Sequence, residues 1–232
     1  MKRIKHTLTY KLLRKVKDIF SHVFSAFYWQ SVNTVITVKD HFMDKSLNIR
    51  TDEWHRTKDT SLCRDACEYI PTTYDKLNEI FGYLGLSDRD IFVDLGCGMG
   101  RAVLLAATKK IKKSVGVELD PDLVADAAEN LRRARGLISP VEFINADAAA
   151  FEIKEGTIFF LYNPFGCRTI VRVADNIRKF LENSRGAARI VYFGPQYRHV
   201  FEDAPWLELE KELSGNDTVI WRSRAPADKL KI

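Results

Sequence analysis

The stretch IFVDLGCGMGRAVLLAA, Ile91 to Ala107, decides how this chain folds. An apolar run carrying a single acid, Asp94, gives way to glycines at every second position, Gly96, Gly98 and Gly100, and then to a segment of small apolar residues. The first part has the length of a strand and the last the composition of a helix, so the glycines make a strand-to-helix turn. Glycine permits positive φ and leaves no Cβ between main chain and ligand. A turn this bare suits a flat or extended cofactor lying against the backbone.

Outward from that turn, short apolar runs alternate with segments of helical spacing. IFVDL, SVGVEL, VEFIN, TIFFLY, RIVYFG, WLELEKEL and DTVIWRS read as strands, with RAVLLAATKK, PDLVADAAENLRRA and TIVRVADNIRKFLENS as helices among the first five. The alternation predicts an α/β fold with a doubly wound, mostly parallel sheet and right-handed crossovers. Only SGN separates the last two runs, and a loop that short joins antiparallel neighbours, so a C-terminal hairpin should close the sheet. Upstream, Pro71 is placed at the first position of a helix whose apolar stripe is Tyr74, Leu77, Ile80, Phe81 and Leu84.

At 232 residues and 46% hydrophobic, the chain can bury one substantial core. No window approaches the roughly 20 unbroken apolar residues of a membrane span. The start, MKRIKHTLTYKLLRKVK, lacks an apolar h-region and does not read as a secretory signal. Four scattered cysteines, Cys63, Cys67, Cys97 and Cys167, make no disulfide framework and favour a reducing, cytoplasmic setting. Cys63 and Cys67 stand one helical turn apart without further ligands nearby, so no metal site is expected.

The net charge of +5 is concentrated: residues 1–50 carry ten Lys/Arg against three Asp/Glu, and the remaining 182 residues carry 26 against 28. From Lys11 to Tyr28, Leu12, Leu13, Val16, Ile19, Phe20, Val23, Phe24 and Phe27 recur at helical steps among basic residues. That amphipathic helix packs on the domain as a lid, lies on a membrane surface or docks on an acidic partner. The chain therefore divides into a basic helical extension, 1–60, and a domain, 61–232. A near-neutral domain argues against a nucleic-acid partner.

Three acids fall at successive strand ends: Asp94, Glu118 about 20 residues beyond the glycines, and Asp147 in NADA after VEFIN. A nicotinamide dinucleotide uses G-x-G-x-x-G and sets its pyrophosphate on the helix N-terminus. Here the spacing is G-x-G-x-G, and Asp94 would repel a pyrophosphate. The same carboxylate favours a sulfonium and an ammonium, which points to S-adenosylmethionine. A nicotinamide-dependent oxidoreductase is the competing enzymatic reading, and a tethered cofactor-binding scaffold without turnover the non-enzymatic one. Asp94 can also cap the next helix or order the loop. Arg101, opening that helix, either reaches a cofactor carboxylate or lies in solvent, and Cys97 reads as a small residue, not a nucleophile.

VDLGCGMGR, VGVELD and NADA resemble the first three motifs of the class I, seven-stranded, Rossmann-like S-adenosylmethionine-dependent methyltransferases, over roughly Tyr69 to Arg222. The resemblance implies that Gly96, Cys97, Gly98 and Gly100 lie along the methionine and ribose. It gives the ribose hydroxyls to Glu118, with Leu119 beside it, and the adenine amino group to Asp147, with Ala148 beside it. YIPT, together with DLGCGMGR and NPF, is similar to a small bacterial branch related to lysine methyltransferases that lack a SET domain. That likeness implies that Tyr69, Thr72 and Thr73 cover the methionine end.

Asn163 is the first polar group after the apolar body of the fourth strand, and Pro164 and Phe165 follow it. Methyl transfer depends more on orientation and exclusion of water than on acid–base groups. The Asn163 amide and the Pro164 carbonyl can direct the lone pair of a neutral amine while Phe165 packs against the substituent. These residues resemble the N-P-P-Y/F motif of amino-group methyltransferases, with one proline fewer, so the aromatic comes two residues after Asn163 instead of three. An asparagine capping the next turn with Phe165 in the core is the alternative. Tyr192, Tyr197 and His199 are placed near the same rim, His199 on an exposed helix. The expected reaction is methyl transfer to an amine, on a protein lysine or a small molecule; oligomeric state has no readable code.

Overall fold

The computed structural model describes residues 38–51, 70–162, 165–184 and 186–224. The chain forms two compact units, Met1–Met43 and Asp44–Ile232. In the smaller unit the described residues, 38–43, are helical and belong to α1, residues 38–47, whose remainder lies in the larger unit. The amphipathic stretch from Lys11 to Tyr28 and the boundary drawn at residue 60 fall outside the described residues.

The larger unit is built on a seven-stranded sheet ordered β3-β2-β1-β4-β5-β7-β6. Its strands are β1 (Ile91–Leu95), β2 (Lys113–Glu118), β3 (Val141–Asn145), β4 (Ile158–Tyr162), β5 (Arg189–Phe193), β6 (Leu207–Glu212) and β7 (Thr218–Ser223). The first five are parallel, and β7 inserts antiparallel between β5 and β6. The doubly wound sheet and its closing hairpin are those the apolar runs predict. Helices α2 (Tyr74–Leu84), α3 (Arg101–Ala107), α4 (Pro121–Arg133), α5 (Cys167–Asn183) and the short α6 (His199–Glu202) complete the fold.

Local chemistry sets these boundaries. Every residue of β1 is buried, as befits a central strand covered on both faces, whereas the edge strand β3 is only half-buried. Helix α4 starts at Asp120, whose side chain accepts from the Asp122 N–H at 2.9 Å, has Pro121 at its first position, and ends with Arg132 and Arg133 against its dipole. Pro71 does not open α2. The Thr73 side chain caps that helix by accepting from the Lys76 N–H at 3.3 Å, and Gly85 closes it at φ 59°. A threonine hydroxyl satisfies a free N–H that proline cannot, so the start moves three residues on.

One apolar stripe of α5, Ile170, Val173, Ile177 and Leu181, packs on Val93, Phe159, Leu161, Ile190 and Trp221 of the sheet. The chain runs outward from β1 to β2 and β3, then returns to β4 on the other side of β1. In open α/β sheets such a reversal is where the ligand crevice lies, here beyond the carboxyl ends of β1 and β4. No helix among the described residues is long and apolar enough to cross a membrane.

Candidate functional site

The turn after β1 is stitched to the end of β2. Gly96 and Cys97 both donate their N–H groups to the Val117 carbonyl, at 2.8 and 3.1 Å, and Gly98 donates to Glu118 Oε2 at 2.9 Å. All three glycines have positive φ, 89°, 53° and 86° for Gly96, Gly98 and Gly100. At Gly100 space is also exhausted: a Cβ there would stand 2.4 Å from Cζ of Phe143 on β3. Glycine is thus required twice over, by backbone conformation and by the ring beneath it.

Glu118 holds this turn open. Besides Gly98 N–H, its carboxylate accepts from the N–H groups of Leu119 at 2.7 Å and Asp120 at 2.9 Å. Asn145, the last residue of β3, donates from its side chain to the carbonyls of Glu118 and Leu119 at 3.0 and 2.9 Å, fixing the next strand end alongside. Asp147 follows, exposed, with Oδ1 accepting from Ala149 N–H at 2.8 Å and Ala148 buried next to it. The acids of β1, β2 and the turn after β3 therefore stand along one rim in the order the sequence implies.

Their electrostatics ask for a cation. Asp94 is 3% exposed and its carboxylate has no hydrogen-bond partner among the described residues. Burial first, and the nearby Glu118 second, hold its pKa well above the usual carboxylate range. Glu118 is also raised by burial, against the three backbone donors that favour its charge. The same burial, with Asp94 and Glu118, pushes the Cys97 thiol up, so it is an inert filler and not a nucleophile.

A second polar cluster stands behind the turn. Arg101 is neither solvated nor at a helix surface: it is buried, its Nε donating to Thr51 Oγ1 at 2.6 Å, Nη1 to the Thr72 carbonyl at 3.2 Å, and its guanidinium lying over the Tyr74 ring at 4.8 Å. Asp44 Oδ1 stands 3.7 Å from Arg101 Nη2 and accepts the Tyr74 hydroxyl at 2.5 Å. Asp44 also accepts from Thr51, N–H at 2.6 Å and hydroxyl at 2.9 Å. Burial, then the Asp44 carboxylate, raises the Tyr74 pKa beyond any physiological range.

At the β4–β5 side, Tyr162 and Phe193 stack with centroids 4.4 Å apart, and Lys76 Nζ sits 5.8 Å over the Phe193 ring. Phe165 is buried in the main core, Tyr192 packs edge-on to Phe201 in the interior, and His199 is exposed on α6. Tyr69, Asn163 and Pro164 lie outside the described residues. The sequence reading overlooked Asn145, Asp44, Thr51 and Asn130. Of these only Asn130 carries a signal, a polar residue on the buried stripe Leu123, Ala127, Asn130 of α4; its side chain donates to the Met99 carbonyl in the glycine turn at 3.1 Å.

A family model described as histone methylation protein DOT1 matches residues 67–193. Among curated proteins, the chain is 28% identical over 95 residues to a protein-lysine N-methyltransferase of Saccharolobus islandicus, covering 40% of this chain and 58% of that protein. It is 41% identical over 71 residues to the 23S rRNA (uracil(1939)-C(5))-methyltransferase RlmD of Haemophilus influenzae, covering 31% of this chain and 16% of that one. The chain thus spans less than two thirds of either relative. Among solved structures, a precorrin 8W decarboxylase of Methanobacterium thermoautotrophicum superposes with a TM-score of 0.50 at 18% identity, over 68% of this chain and 93% of that one, a likeness of fold.

Proposed function

The chain belongs to the DOT1 histone methylation family, and from that premise we propose that it transfers a methyl group from S-adenosylmethionine to an amine, with a protein lysine as acceptor. The observation that carries the cofactor is Asp94, a buried carboxylate with no hydrogen-bond partner among the described residues, beside a glycine turn that leaves no space for a side chain at Gly100. A pyrophosphate brought to that carboxylate would be repelled; a sulfonium or ammonium is drawn to it. When bound, S-adenosylmethionine supplies an electrophilic methyl group on a positively charged sulfur. Gly96 to Gly100 offer bare main chain, Glu118 the ribose acceptor and Asp147 with Ala148 the adenine edge.

The remaining task of the protein is positional. An amine must arrive neutral with its lone pair aimed at the methyl carbon, and the Asn163 amide and Pro164 carbonyl are the groups we assign to that. With Phe165 committed to the core, Tyr162 and Phe193 are the aromatic faces at this rim. The lysine reading draws on the family and on the Saccharolobus relative; the RlmD match spans the shorter segment. We assign the protein to the cytoplasm, with the basic segment from Lys2 to Lys17 available for a peripheral membrane contact.

Incubating the purified chain with tritiated S-adenosylmethionine and cell lysate tests this. Label should enter the protein fraction and be lost when lysines are acetylated beforehand. Label confined to RNA would replace the acceptor, and a melting temperature raised by NAD but not by S-adenosylhomocysteine would replace the cofactor.

A further inference from the structure

We propose that Asp44 is a positioning residue of the cofactor site: through Arg101 it sets the spacing between the segment carrying Thr72 and the glycine turn. This deepens the function proposed above and rests on it, because those two segments are the ones assigned to the methionine end of the cofactor. Residue 44 lies well ahead of residue 67, where the family match begins, so the match gives it no role.

Three stretches far apart in sequence meet at this cluster. Arg101 follows Gly100 directly, and its Nη1 holds the Thr72 carbonyl. A guanidinium taken out of water needs a counter-charge and fixed acceptors. Asp44, 2% exposed, is the carboxylate facing it, and Thr51 is the hydroxyl that accepts from its Nε. Tyr74 stacks on the guanidinium while its hydroxyl donates to Asp44, so the side chain cannot swing away from Arg101 without releasing the carboxylate. The charge, the stacking ring and both hydrogen-bonding threonines therefore determine one another.

The same stretch makes a second, independent link to the turn. The Arg50 main chain exchanges two hydrogen bonds with the Asn130 side chain, at 2.9 and 2.8 Å, and Asn130 in turn donates to the Met99 carbonyl. Residues 44–51 thus hold the glycine turn on both sides of Gly100, at Met99 and at Arg101. Supporting residues of this kind fix the groups that touch a ligand without touching it themselves.

The test uses the full chain and two ligands, S-adenosylhomocysteine and 5′-methylthioadenosine, which lacks the amino-acid end. In Asp44→Asn, calorimetry should show S-adenosylhomocysteine binding roughly tenfold more weakly, the loss of one charge-assisted interaction, with methylthioadenosine affinity unchanged. A structural role alone would weaken both ligands alike, and that result, or no change in either, overturns the proposal. Tyr74→Phe removes one hydroxyl and keeps the ring; it should show the same selectivity with a loss of about threefold. It decides the matter by the same criteria where Asp44→Asn does not fold. A wild-type chain that binds neither ligand fails the functional reading, and the proposal with it, before any variant is compared.

Discussion

At the β1–β2–β3 end of the crevice, the polar groups are held by main chain from their own or the adjoining strand end: Glu118 by Gly98, Leu119 and Asp120, Asp147 by Ala149. At the β4–β5–β7 end, the partners come from afar. Lys76 of α2 reaches Asp217, which precedes β7, across 141 residues of sequence, and sits over Phe193 of β5. The acids of the first edge are held by a local device, encoded by glycine spacing and strand-end position and braced from behind by residues 44–51, and suit an invariant ligand. The second is assembled from long-range contacts, where acceptors that differ between proteins can be accommodated by changing loops.

The most severe way to break the local edge is Gly100→Val. Positive φ costs a side chain about 1–2 kcal/mol, and forcing a Cβ into Phe143 about 1–3 kcal/mol more. S-adenosylhomocysteine affinity should fall by roughly two orders of magnitude. Adding Phe143→Leu should recover part of that by freeing space, not conformation; full recovery would show that φ does not matter here. The matching lesion at the distant edge is Asn163→Ala. There kcat should drop about a hundredfold while S-adenosylhomocysteine affinity in calorimetry stays within about twofold. A parallel loss of affinity would move Asn163 into the cofactor edge.

A pH series sharpens the contrast further. The Asp94 pKa in the free protein is raised by burial and by Glu118. Its contribution to stability is therefore complete below the ordinary carboxylate value, about 3.9, and is lost as pH rises through the elevated folded value. A cationic ligand favours the ionised form, so cofactor affinity should increase over that same interval, with protons released on binding. Melting curves across pH, and calorimetry in buffers of different ionisation enthalpy, read both quantities. Asp94→Asn should abolish the proton release and weaken binding about tenfold at neutral pH; undiminished release would assign it to Glu118.

How much of this could be read from sequence follows the same division. The strands of the sheet lie within a residue of the apolar runs, because burial on both faces leaves an unbroken signal in segments such as IFVDL and IFFLY. The resemblance of YIPT, DLGCGMGR and NPF to lysine methyltransferases that lack a SET domain agrees with the DOT1 family match over residues 67–193. The solvated alternative for Arg101 fails because its burial depends on Asp44 and Thr51, 57 and 50 residues upstream, and no local pattern encodes a counter-charge at that distance. Phe165 is absorbed by the core since the chain turns into α5 directly after it, and its apolar character is the same whether it faces a ligand or Ile170.

The smallest effect is expected at the ion pair of the distant edge. Lys76 Nζ lies 2.9 Å from Asp217 Oδ1 and 2.7 Å from Glu79 Oε2, and Ser214 Oγ donates to Glu79 Oε1 at 2.5 Å, so α2 is fastened to the turn between β6 and β7. Burial, which lowers the Lys76 pKa, is outweighed by the hydrogen bonds to Glu79 and Asp217, and the ammonium is kept charged. The Asp217 side chain is 42% exposed, however, and solvent screens the pair. Asp217→Asn should therefore cost less than about 1 kcal/mol in denaturant unfolding. If the two edges are as separate as their contacts suggest, S-adenosylhomocysteine affinity stays at the wild-type value and only the acceptor KM moves, by about twofold, since the turn it anchors flanks Phe193. A change in cofactor affinity instead would mean that α2, whose first turn follows Thr72, transmits strain from one edge to the other.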